Sequence, residues 1–169
     1  MAGKADFTPD EWKSLLQSPL IAGIAVSAAE PSGLFGMLKE SMASARALVR
    51  AKLDPNADAL VKAVAADYEA SEGRTLAQDG LREALIGDKP ADIVPKALAL
   101  LKSVSALLDS KAPSDAAAFK TGLASVAKAV AEASAEGGFL GFGGVQVSDA
   151  EKATLVQVAS ALGVAAPPV

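Results

Sequence analysis

The residues best suited to chemistry in this chain are carboxylates at places where helices should begin and end. Glu136 precedes a glycine pair in "EGGFLGFGGVQVSDAE" (136–151), and Asp149 and Glu151 lie in its last four residues. Glu30 and Glu40 take comparable places in an earlier segment. The 169 residues include no Cys and no His, which removes thiol and imidazole chemistry, disulfides and soft-metal sites. A metal would have to be a hard divalent cation (Ca, Mg or Mn) held by oxygen. Catalysis would rest on carboxylates, lysines, hydroxyls or Tyr68, with Glu30, Asp67 or Glu69 as the conceivable acids or bases. No nucleophile–base pair stands out, so the chain is expected not to be an enzyme.

Other motifs carry less. The glycine-rich stretch has no Lys between 137 and 151, so it lacks the phosphate-gripping end of a Walker loop. Its glycines also have the wrong spacing for a dinucleotide fingerprint, and a helix rather than a strand precedes them. "KTGLASVAK" (120–128) holds Lys120-Thr121-Gly122 and a Ser125-x-x-Lys128 pair, pieces of a β-lactamase signature. Their order is reversed and both fall in one helix, so they read as a solvated helix face. "DPNAD" (54–58) is a fragment of a calcium loop that a turn and a helix cap explain.

The elements that must position these residues are helices, and no segment alternates like a strand. "TPDE" (8–11) is a capping box with Pro at the first helical position. Ser18-Pro19 repeats the cap-plus-Pro signal and opens a second helix ending near Glu30-Pro31. Ser32 caps a third, with Leu34, Leu38, Met42, Ala45, Leu48 and Val49 at helical spacing. Asp54-Pro55 starts a fourth, with Leu60, Val61, Val64 and Tyr68, ended by Gly73. A shorter helix runs from about Thr75 to Ile86, weakened by Gly80. "DKPAD" opens a helix with Ile93, Ala97, Leu101, Val104 and Leu108, read as the central one. "APSDAAAF" opens another with Phe119, Leu123, Val126 and Val130, stopped by Gly137-Gly138. "SDAE" (148–151) is a second capping box, before Leu155, Val158, Ala159 and Leu162. The fold class is all-α: one domain over 1–169, a bundle of seven to eight helices, with frayed ends at about 1–6 and 165–169. Residues 25–35 echo 129–139, Ala25, Val26, Ala29, Gly33 and Phe35 matching Ala129, Val130, Ala133, Gly137 and Phe139. That echo suggests a pseudo-twofold repeat.

"ASAEGG…VSDAEKATLVQVASALG" resembles a signature of the TerB-like (tellurite-resistance B) all-helical family. The signature is an Ala-rich helix ending in an acidic-Gly pair, a short link, then a Ser/Thr-x-x-Glu start and a Leu-rich helix. It covers 126–163, with a degenerate copy at 22–49. The resemblance implies a helical pseudo-repeat and divalent-metal binding by Glu136, Asp149 and Glu151, with Glu30 and Glu40 from the weaker copy. The chain departs from the pattern in having Glu136 where the family has Asp, and in the long link "GFLGFGGVQ". At Glu151 the cap alone explains the carboxylate, which answers a free backbone N–H and the helix dipole.

Phe139, Leu140 and Phe142 lie outside any helical stripe. They either fold back as a lid over the bundle's end or form an apolar patch that docks a partner or a membrane surface. Leu34 and Phe35 occupy the matching corner. Net charge is −4 with no basic cluster, so nucleic acid is excluded as a partner and anionic membrane contact is not favoured. The first twelve residues lack a signal-peptide core, and the apolar run at 19–29 is about half the ~20 residues of a spanning helix. A cytoplasmic location is expected. Three functions follow: a binding or scaffolding protein, linked to stress, whose apolar corners meet a protein partner or a second copy; a TerB-like metal binder; and a small-molecule or lipid carrier.

Overall fold

The computed structural model describes residues 2–29, 58–135 and 147–169. Among them are six helices and no strand. Helix α1 spans Pro9–Ser27 and starts as its capping box dictates: Glu11 N–H donates to Thr8 Oγ1 and Thr8 N–H to Glu11 Oε2. It then continues through Ser18-Pro19, where a new helix start is expected. The reason is local. Pro19 has no N–H for the carbonyl of Leu15 four residues back, but the buried Ser18 hydroxyl donates to that same carbonyl at 2.7 Å. The orphaned acceptor is satisfied inside the core, and the helix survives its proline.

This merged helix is the centre of the bundle, in place of the helix from 90. Every residue from Leu15 to Gly23 is buried, and α1 packs against each of the other five helices. A helix enclosed on all sides must be apolar all round, and no charge occurs between Ser14 and Ser27.

Helix α2, Ala59–Glu69, is capped by Asp58 and buries Leu60, Val64, Ala65 and Tyr68. It stops before Gly73, because Ala70 is extended (φ −69°, ψ 144°) and α3, Ser71–Leu85, begins at once. Gly73 is therefore inside α3. A Cβ there would lie 1.9 Å from the Asp67 carbonyl oxygen, so glycine is what lets the first turn of α3 press on the last turn of α2. Gly80 has a similar role. Its hypothetical Cβ would meet Gln17 Oε1 at 2.5 Å and Lys13 Cε at 2.8 Å on α1. With Ala77 these glycines are the buried stripe of α3, one residue per turn.

Helix α4, Pro90–Lys111, and helix α5, Pro113–Ala135, are joined at Ala112. Ala97, Leu101, Val104 and Leu108 of α4 and Phe119, Leu123, Val126 and Val130 of α5 are buried as their spacing requires, while Ile93 is half-buried. Helix α6, Asp149–Leu162, buries Leu155, Val158, Ala159 and Leu162 and ends on Gly163 at φ 70°. The buried Ser105 hydroxyl of α4 donates to the Leu162 carbonyl, tying down that end. At the amino end, a 3-10 turn over Lys4–Asp6 leads to the buried Phe7. The third expected helix, and residues 30–35 and 136–139 of the echoed segments, fall outside the described residues.

Candidate functional site

Of the sequence-derived site residues, Asp149 and Glu151 lie in the described part. Glu30, Leu34, Phe35, Glu40, Glu136, Phe139, Leu140 and Phe142 lie outside it. The Glu151 carboxylate is 4% exposed and accepts from Ser148 N–H at 2.9 Å, while Glu151 N–H donates to Ser148 Oγ at 3.1 Å. It serves its own helix start, as the cap alone predicts. Asp149, two residues earlier, has a fully exposed side chain 3.9 Å from Lys152 Nζ. Oxygen donors of this kind suit a hard cation, but one is turned inward to a cap and the other outward to solvent. Among the described residues no three Asp or Glu side chains gather as a metal cage would need.

The other candidates have structural partners. Asp67 Oδ2 accepts from the Trp12 indole N–H at 2.6 Å and from Lys4 Nζ at 2.9 Å. Lys4 also sits 5.9 Å from the centre of the Trp12 ring. Burial pushes the Asp67 carboxyl up, but the indole and ammonium donors outweigh it and hold it below the usual carboxylate range. Such a group is a fixed anion rather than a base for neutral pH. Burial raises the Tyr68 phenol, keeping it neutral. In "KTGLASVAK", the Thr121 and Ser125 hydroxyls donate to the carbonyls of Ala117 and Thr121, and Lys128 pairs with Glu132. Lys120 departs from the solvated-face reading: it is 7% exposed and grips both carboxylate oxygens of Asp109 at 2.6 Å.

One arrangement was not visible in the sequence. Asp58, the cap of α2, and Asp115, in the first turn of α5, act on each other's titration. Asp115 is 1% exposed, and its Oδ2 also accepts from Ala2 N–H at 2.9 Å and from the Ser114 hydroxyl at 3.0 Å. Interaction with Asp58, with Ala2 and Ser114, holds the Asp115 carboxyl below the ordinary value against burial, while interaction with Asp115 and burial push the Asp58 carboxyl above it. Each reads in sequence as one more acidic helix start, and only the packing of α2 on α5 brings residues 57 positions apart together.

Compared with protein-family models, curated proteins and solved structures, the chain matches none. Among the described residues no helix is long and apolar enough to cross a membrane.

Proposed function

We propose that this chain is a non-enzymatic helical binding or scaffolding protein, whose apolar corners, Phe139, Leu140 and Phe142 with Leu34 and Phe35, dock a protein partner or a second copy. The reading is supported by how the core is built. The stripes of α1, α4, α5 and α6 interlock around Leu15, Leu16, Leu101, Leu108, Leu123 and Leu155. Both sides of the link are anchored, by Val130 and Ala131 before it and by Val147, packed on the core, after it. Phe139, Leu140 and Phe142 are surplus to that helical pattern, and surplus large apolar groups are the chemistry of a docking patch.

The test is a Phe139→Ser, Phe142→Ser double variant in pull-down and sedimentation. The proposal expects a folded protein that loses a partner or its own self-association. Binding that is unchanged in the double variant would contradict it. A melt with millimolar Ca²⁺, Mg²⁺ or Mn²⁺ tests the metal function separately: a stabilisation abolished by Glu136→Gln plus Glu151→Gln would favour it. A co-purified ligand in native mass spectrometry would favour a carrier.

A further inference from the structure

We propose that α3 is a hinged cover on the central helix: it lifts off α1 as a unit, well before the bundle unfolds, and uncovers the α1 face around Gln17. Four observations carry it. The first is an acceptor that the closed state leaves unsatisfied. Gln17 is 9% exposed, and its Oε1 is buried without a donor among the described residues. It lies over Gly80 of α3, where a Cβ would approach it to 2.5 Å. The buried hydroxyls of α1, on Ser18 and Ser27, donate instead to carbonyls of their own helix at 2.7 and 3.0 Å. A buried amide oxygen without a partner forfeits its hydration, and water restores it once α3 moves away.

The second is how little apolar surface α3 buries. Its buried stripe is Gly73, Ala77 and Gly80, which together remove little apolar area from water. Leu76 is 38% exposed, Leu81 and Leu85 are half-buried, and Ile86, just beyond the helix, is 75% exposed. In contrast, α4 sets Leu101, Val104 and Leu108 fully into the core. Across the seam Lys13 Nζ pairs with Glu83 at 2.5 Å, but the Glu83 side chain is mostly exposed, and such pairs contribute little.

The third is the helix itself. It carries two internal glycines, which weaken a helix, and it starts on Ala70 without a side-chain cap. Helices α1, α2 and α6 start on the capping side chains of Thr8, Asp58 and Ser148. The fourth is a joint at each end. Ala70 alone, in extended conformation, separates α2 from α3, and Gly87 follows α3 at φ 78°. The close approach of Gly73 to the Asp67 carbonyl keeps the first turn of α3 on α2. The pivot is therefore at that turn, and residues 77–85 travel.

Hydrogen exchange of the wild type in increasing urea tests the cover without any substitution. The amides of 77–85 should exchange at least about tenfold faster than the most protected amides of α1 and α4. Their urea dependence should be shallow, because the opening exposes little surface. Equal protection and equal urea dependence would show that α3 opens only with the whole bundle, and would overturn the proposal. Gln17→Met, similar in length but without the amide, tests the acceptor. It should slow exchange at 77–85 by about tenfold, as much as it slows the amides of α1. If 77–85 do not slow, that opening does not release Gln17 and the lift from α1 is wrong. Because the chain has no Cys, a single thiol gives a third readout. Ala77→Cys, at a fully buried position of α3, should react with a thiol reagent about tenfold faster than Ala127→Cys, equally buried in α5. Equal labelling rates would contradict the cover.

Discussion

Ser18 and Pro19 show how one hydroxyl decides whether a helix continues. The buried Leu15 carbonyl has lost its N–H partner to proline and gained the Ser18 hydroxyl. Ser18→Ala should leave that acceptor unsatisfied and cost about 1–3 kcal/mol in a urea titration. In a Pro19→Ala background, where an N–H is restored, the same change should cost clearly less. Equal costs in both backgrounds would show that the hydroxyl does not stand in for the amide. Asp67 makes a second prediction, with a definite pH sign. Its carboxyl is lowered by Trp12 and Lys4 against burial, so its contribution is present above the unfolded pKa and is lost as pH falls through the folded one. Trp12 fluorescence should change through that acid titration, and Asp67→Asn should remove the change. These pairings were hidden in the sequence for one reason. A cap or a lone Asp reports its own neighbours, whereas Asp67 meets Trp12 and Lys4 only after α1 and the 3-10 turn before it pack against α2.

The helices themselves were largely legible. Both capping boxes, Thr8–Glu11 and Ser148–Glu151, form with both reciprocal bonds, because they depend on residues three apart. Apolar stripes such as Phe119, Leu123, Val126 and Val130 are buried where helical spacing puts them. Glycine misled in a consistent way. Gly73 reads as a stop and Gly80 as a weakness, since isolated glycine costs a helix about 1 kcal/mol. Both instead permit close approach, which no local pattern reveals. Gly73→Ala should destabilise at the top of the about 1–3 kcal/mol overpacking range or above it, because its obstacle is the Asp67 backbone carbonyl. Gly80→Ala meets the ends of Gln17 and Lys13, which can swing aside, and should cost less. Denaturant midpoints of the two variants check the order, and a reversed order would contradict the packing described for α3.

Among the described residues the molecule is a bundle wound around α1, which is free of charge from Ser14 to Ser27 and meets each of the other five helices. In sequence the 90–111 segment looks central because the Ser18-Pro19 start signal splits α1 into two shorter pieces. The centre is nevertheless written in the charge-free run from Ser14 to Ser27. The candidate site was less legible than the fold. Glu151 is used by its cap, and the segment proposed to bind is defined by what the helical pattern leaves unused. The measurement that bears most directly on the proposed docking function is the melting temperature of the Phe139→Ser, Phe142→Ser variant, taken beside its sedimentation coefficient. If the phenylalanines serve an interface, the Tm of the dissociated protein should stay within about 3 °C of wild type, since exposed positions cost little and 1 kcal/mol is worth about 2–4 °C at this size. If they are core, each should cost a large part of the about 3–5 kcal/mol of a buried Phe truncation, and Tm should fall by more than about 10 °C. A drop of that size, with no change in association, would contradict the docking function.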